Sequence, residues 1–289
     1  MTGICASQVS ELKELNNIFI ELTAKNCNKR CRECYINFPL AKNIKDFIKI
    51  DVIKKALAQT KQEDLHCIYL TGAEPMTHPD FNTILRLCLK RTNVCIFTNA
   101  TYINEKKARF IKSVEEESDY QIIFKLSFAH HEEGRNDNVR SRGAYRQNLY
   151  ALKCLDKYAF TNIICVSNYY KENPDKIIGA FKNKLSESGI SNAVIQINEW
   201  CDGKSCDIRE ISGALDCMNG RILTANGIFA CPFLANDYRG RSGGTFSDYS
   251  KTIRLETPYC AACIKNGEKM FGIDIDRQTM YLDREKSKK

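Results

Sequence analysis

The sequence predicts an α/β fold, a parallel sheet or partial barrel followed by a smaller cysteine-bearing unit. Three observations carry this expectation. Short apolar, β-branched segments alternate with amphipathic ones along most of the chain. The alternation stops near Trp200, beyond which Gly and Cys become frequent. The chain has 289 residues, 43% hydrophobic and 27% charged, a composition that buries a core of one large domain, with or without a small appendage.

The strands are expected at Ile18–Leu22, Cys67–Leu70, Val94–Thr98, Ile122–Ser127, Ile163–Val166 and Val194–Ile197. Each is apolar at successive positions, as strands covered on both faces are. Helices are expected between them. Phe81, Ile84, Leu85 and Cys88 fall at i, i+3, i+4 and i+7, with Pro79 near the first turn. Residues 49–61, 105–117, 144–158 and 173–187 repeat that pattern. Strand-then-helix units imply βαβ crossovers, and in such folds the chemistry sits on the loops after the C-terminal ends of the strands. Past residue 200, Arg221–Thr224 and Ile228–Cys231 form a hairpin turned by Ala225-Asn226-Gly227. The expected division is 1–16 as an extension, 17–205 as the α/β unit and 206–289 as the appendage with a basic tail.

Charge excludes less than it first suggests. Lys and Arg number 43 against 35 Asp and Glu, a formal +8, but Arg284–Lys289 alone supply four bases and one acid. No basic stripe interleaved with aromatics is present, so a nucleic-acid partner is not expected. No run of about 18 apolar residues exists, so no membrane span is expected. The N-terminal residues lack the basic start and apolar stretch of a secretory signal, and a cytoplasmic location is expected.

The 15 cysteines are the outlier. Without export, clustered cysteines point to metal or redox chemistry rather than a disulfide framework. Cys67, Cys88, Cys95, Cys154 and Cys165 lie in apolar segments and are read as core. Cys27, Cys31 and Cys34 are different. They form a C-x3-C-x2-C loop directly after the first strand, able to reach three corners of a cubane cluster while leaving one iron open for a ligand. A structural zinc site would need a fourth Cys or His nearby, and none follows.

This loop resembles the signature of the radical S-adenosylmethionine (SAM) superfamily. The resemblance covers residues 17–200 and implies a partial (β/α)6 parallel barrel with a [4Fe–4S] cluster whose open iron is chelated by SAM. It also implies a 5′-deoxyadenosyl radical that takes a hydrogen atom from substrate. Thr71-Gly72-Ala73-Glu74-Pro75 is similar to the family's GGEP motif for the SAM amino group, with Ala73 in place of the second Gly. Asn99, in Thr98-Asn99-Ala100, resembles a turn near the methionine moiety. Ser127 stands where the family uses a hydroxyl on the ribose. Arg140 resembles the partner of the SAM carboxylate, with Arg142 as its rival, and Ser167 ends the fifth strand as a further candidate. Glu33 occupies a position where the family often has an aromatic residue.

Cys217, Cys231, Cys260 and Cys263 form two separated arms, suited to a second [4Fe–4S] cluster or to zinc. After such a barrel they resemble a twitch domain, a short relative of the SPASM domain with one auxiliary iron–sulfur cluster. Cys201, Cys206 and Glu199 follow the sixth strand and are the candidate catalytic residues, the thiols as hydrogen-atom donors or further ligands. His130 and His131 are candidate general bases. The resemblance implies a dehydrogenase-like oxidation of a small biosynthetic intermediate, with the auxiliary cluster as electron acceptor and a flavodoxin or ferredoxin as donor. A peptide-modifying maturase is the alternative within enzymes, set back by the 26 residues before Cys27, too few for a peptide-recognition domain. A non-catalytic iron–sulfur or zinc protein is the alternative outside them.

Overall fold

The computed structural model describes residues 9–36, 38–191, 193–200 and 220–265. Cys201, Cys206 and Cys217, and the basic tail, lie outside the described residues. The expected boundary between 205 and 206 lies there too.

In chain order the elements are β1 (Val9–Glu11), β2 (Asn17–Thr23), α1 (Ile50–Ala58), β3 (Cys67–Gly72), α2 (Phe81–Leu89), β4 (Asn93–Thr98), α3 (Glu105–Glu116) and β5 (Ile122–Phe128). There follow α4 (Glu133–Arg140), α5 (Ala144–Lys157), β6 (Thr161–Asn168), α6 (Pro174–Glu187), β7 (Ala193–Glu199), β8 (Arg221–Thr224), β9 (Gly227–Phe229), β10 (Arg241–Gly243), β11 (Thr252–Arg254) and α7 (Pro258–Lys265). Strands β2 to β7 lie side by side in sequence order, all parallel, each joined to the next through helix, which is the partial barrel expected. Strand β8 adds parallel to β2 on the other side, and β9 and β10 continue antiparallel, so the late hairpin extends the barrel sheet to nine strands. Strands β1 and β11 form a separate antiparallel pair.

Each strand feeds two layers. Ile18, Ile20 and Leu22 point outward into the large core beneath the helices, with Phe81, Ile84, Leu85 and Cys88 of α2. Phe19 points the other way, with Tyr69, Cys95, Ile123 and Ile163, and these fill the barrel floor. Phe19 stacks on Tyr69 at 4.6 Å, and Phe97 meets Tyr69 edge-on at 5.7 Å. Two residues further along the same faces the lining turns polar, with Glu21, Thr71, Lys125 and Cys165. The apolar floor anchors the strands, and the polar positions face the end where barrel chemistry occurs.

Side-chain caps fix the helix starts. Asn104 accepts from the Lys107 amide before α3, and Asn173 from those of Asp175 and Lys176 before α6, with Pro174 at the first position. Cys165 corrects the sequence reading. It is not core: it shares the lumenal face of Ile163, is half-buried, and its Sγ accepts from Asn198 Nδ2 at 3.0 Å. Alternation along β6 places an apolar-looking run on two unlike faces. Among the described residues no helix is long and apolar enough to cross a membrane.

Candidate functional site

The C-terminal ends of β2, β3 and β4 and the end of α4 meet the loop carrying Cys27, Cys31 and Cys34. Backbone contacts hold that loop. The Ala73 amide donates to Thr23 O at 2.8 Å, the Glu74 amide to Asn26 O at 3.1 Å, and the Arg32 amide to Val139 O at 2.8 Å. The loop is thereby stitched to the ends of β3 and α4.

Gly72 makes the first contact possible. Its φ is +133°, and a Cβ there would lie 2.4 Å from Thr23 O. The glycine is demanded by the neighbouring strand, where the β2–β3 register shifts. Ala73, in contrast, occupies the next position without conflict. Ala100 adopts φ 64°, the left-handed turn for which glycine would be relaxed.

Glu74 is 1% exposed. Its Oε1 accepts from Thr98 Oγ1 at 2.8 Å and Met76 N at 3.2 Å, and its Oε2 from Asn99 N at 2.8 Å. Burial pushes its carboxyl up to about 7 against these lowering hydrogen bonds. Glu74 therefore ties the end of β3 to the end of β4 and presents Asn99. The Asn99 side-chain amide reaches Asn28 Oδ1 at 3.0 Å and Cys27 Sγ at 3.6 Å. The loop after β4 thus touches the first cysteine directly.

On the other side sits Arg140, 6% exposed, at the end of α4. Its Nη1 is 2.5 Å from Glu33 Oε1, an ion pair across 107 residues. Cys31 Sγ approaches Arg140 O at 3.6 Å. Arg140 Nε and Glu33 Oε2 are buried and have no hydrogen-bond partner among the described residues. Arg142 is exposed, so the buried cation beside the cysteines is Arg140. The sequence offered no sign that Glu33 would turn inward to meet it. Lys29, whose Nζ reaches Gln147 Oε1 at 3.0 Å and Ser141 Oγ at 3.3 Å, is lowered by burial and then by Arg140.

The remaining predicted positions disperse. Ser127 O accepts from Asn148 Nδ2 at 2.6 Å, and Ser167 is half-buried at the end of β6. Glu199 accepts from Asn168 Nδ2 at 3.0 Å on the far side of the sheet. His130 is 2% exposed, accepts the Glu132 amide at Nδ1, and meets Glu172 at Nε2. Burial first, then His131, lowers it, so it stays neutral with both nitrogens engaged. Of the C-terminal cysteines, Cys231 packs against an apolar cluster containing Cys260 and Cys263, with Phe233 and Tyr259.

Residues 22–181, more than half of the chain, match the Radical SAM superfamily. The chain belongs to the radical SAM superfamily. The crystal structure of Streptococcus suis SuiB bound to S-adenosylmethionine superposes with a TM-score of 0.59 at 14% identity, covering 80% of this chain and 63% of that one. Histidine-tagged anSMEcpe with bound AdoMet superposes with a TM-score of 0.60 at 14% identity, covering 83% of this chain and 80% of that one. At these identities the likeness is one of fold, and the chain spans 63% of the length of SuiB. No curated protein matches the chain.

Radical SAM membership implies a [4Fe–4S] cluster and SAM as cofactors. The donor set fits the cluster. Three thiols share one ordered loop, and burial raises Cys34 to about 11 and also raises Cys31. Such thiols stay protonated without a metal cation beside them, and a metal is what ionises them outright. Cys27, Cys31 and Cys34 would hold the cluster, and the unsatisfied Arg140 Nε is a buried donor next to them.

Proposed function

We propose that this radical SAM enzyme is an oxidoreductase of a small molecule, with a second iron–sulfur cluster held by Cys217, Cys231, Cys260 and Cys263 as electron acceptor. One observation carries the reading. Tyr35, the residue after Cys34, meets Phe233 edge-on at 5.6 Å, and Phe233 stacks on Tyr259 at 4.8 Å, next to Cys260. Tyr259 Oη also donates to Tyr35 O at 3.5 Å. Three continuous aromatic rings therefore run from the SAM-type loop to the C-terminal cysteines.

When bound, the first cluster and SAM supply a hydrogen-atom abstractor, and the second cluster supplies a one-electron sink. The chain's own residues set the stage. Arg140 is the partner for the SAM carboxylate, and Glu74 and Asn99 shape the methionine end. Lys125, 2% exposed and 4.8 Å above the Phe97 ring, gives the lumen a fixed cation. A flavodoxin or ferredoxin serves as reductant.

The test is isotopic. With substrate deuterated at the oxidised carbon, deuterium should pass into 5′-deoxyadenosine, no solvent deuterium should remain at that carbon, and Cys231→Ala should abolish net oxidation. Retention of oxidation in Cys231→Ala would contradict the proposal. A second reading, epimerisation, draws on Cys165. Its thiol faces the lumen and lies near Arg140. That reading predicts solvent deuterium in the product, lost in Cys165→Ala.

A further inference from the structure

A cavity of about 350 Å³ lies beside the three-cysteine loop, between β2 and the segment after β9. Glu21, Tyr35, Phe233, Asn236, Tyr238 and Tyr259 line it. None of the positions matched to SAM binding does. We propose that this cavity is a recognition site for a primary ammonium group on an aromatic or aliphatic body, with Glu21 as its counter-ion.

The carboxylate is buried and prearranged. Glu21 is 4% exposed on the lumenal face of β2. Its Oε2 accepts from Asn236 Nδ2 at 2.8 Å. Asn236 is held in a left-handed backbone conformation, φ 62°, and its Oδ1 accepts from Asn226 Nδ2 at 2.8 Å. Asn226, at the β8–β9 turn, is fixed in turn by the Lys45 backbone, accepting from its amide at 3.0 Å and donating to its carbonyl at 3.2 Å. A relay of amides from three separate segments thus aims one carboxylate into one cavity. Hydrogen bonding through the second and third members restricts how that carboxylate can turn.

The charges around it leave a place for a cation. Among the described residues no Lys or Arg forms an ion pair with Glu21, whose hydrogen bond there is the one from Asn236. Arg239, the cavity's own cation, is engaged by Asp237, its Nε lying 3.0 Å from Oδ1 and its Nη2 2.5 Å from Oδ2. Asp46 adds a second negative neighbour, and the phenols of Tyr35, Tyr238 and Tyr259 complete the facing titratable groups. Burial, then Asp46, pushes Glu21 up to about 7 against the lowering bond from Asn236. An arriving ammonium offsets both causes at once. Phe233 and Tyr259 line the cavity, and an aromatic lining suits a cation and its apolar body.

The site shares Tyr35, Phe233 and Tyr259 with the aromatic run above, but its test requires no turnover and is a binding measurement on the anaerobically reconstituted full chain. Calorimetric titration compares tyramine with 4-ethylphenol, which has a similar body and lacks the amine. Tyramine should bind about tenfold more tightly or better, the worth of a hydrogen bond to a charged group. Glu21→Gln should erase that preference. In the wild type at pH 7, titration in two buffers of different ionisation heat should reveal proton release on tyramine binding, because the raised carboxyl must ionise. This second measurement needs no variant to fold. N-acetyl-lysine methylamide separates the sources. Binding with the same Glu21 dependence identifies a peptide side chain, and its exclusion identifies a small amine. Equal binding of tyramine and 4-ethylphenol, a preference surviving in Glu21→Gln, no proton release, or no tyramine binding would overturn the proposal.

Discussion

The Arg140–Glu33 pair gives the sharpest energetic prediction. The two side chains are 7% and 5% exposed and meet at 2.5 Å. Removing either partner strands the other charge in a low dielectric, which costs about 3–5 kcal/mol for buried pairs. The described surroundings offer no replacement, because Arg140 Nε and Glu33 Oε2 already lack partners there. Arg140→Met and Glu33→Leu should therefore each destabilise the chain by about that amount. The double variant removes both charges together and should lose less than the two single losses added, a coupling of about 2–3 kcal/mol or more. Anaerobic urea denaturation of the cluster-free protein, followed by circular dichroism in all four variants, measures the cycle. Additive losses would refute the reasoning, since they would mean that neither charge depends on the other.

Gly72→Ala should destabilise by several kcal/mol, because the new Cβ would meet Thr23 O at 2.4 Å and the residue would keep φ +133°. Ala73→Gly should be nearly neutral, and thermal unfolding of both variants checks the contrast. Glu21→Gln should flatten the pH dependence of stability. Glu21 is raised from 4.5 to about 7 in the folded chain, so between those values the folded state holds a proton that the unfolded state has released. Its contribution is present below about 4.5 and is lost as pH rises through about 7, and the variant should lack that loss in denaturation measured from pH 5 to 8.

Much of the barrel was legible because its strands are largely apolar at successive positions and most of its helices carry an apolar stripe, cleanest at Phe81, Ile84, Leu85 and Cys88. Each predicted strand from Ile18–Leu22 to Val194–Ile197 lies inside an observed one. The three-cysteine loop was legible because Cys27, Cys31 and Cys34 are close in sequence and share one loop. Other features depend on contacts distant in sequence. Glu33 stands where the family often has an aromatic residue, and its burial becomes visible only when α4 delivers Arg140 to it. Helix α4, with polar residues over most of its surface, carries no periodic apolar signal. The need for glycine at Gly72 comes from its close approach to Thr23 on the neighbouring strand. Glu21 carries no sequence signal of its own, and only pairing of β8 with β2 brings Asn236 to it. Cys165 lay hidden in an apolar run because alternation distributes such a run over two faces.

Two cysteine-bound clusters are proposed for this chain, one of them activating SAM, and metal counting distinguishes that proposal from its rivals. Anaerobic reconstitution should give about eight irons per chain, as two cubanes. Joint substitution of Cys27, Cys31 and Cys34 by Ala should leave about four irons and abolish 5′-deoxyadenosine formation from SAM. An unchanged iron count in that variant, or SAM cleavage that survives it, would contradict the assignment of the loop. One equivalent of zinc persisting in it would contradict the second cluster.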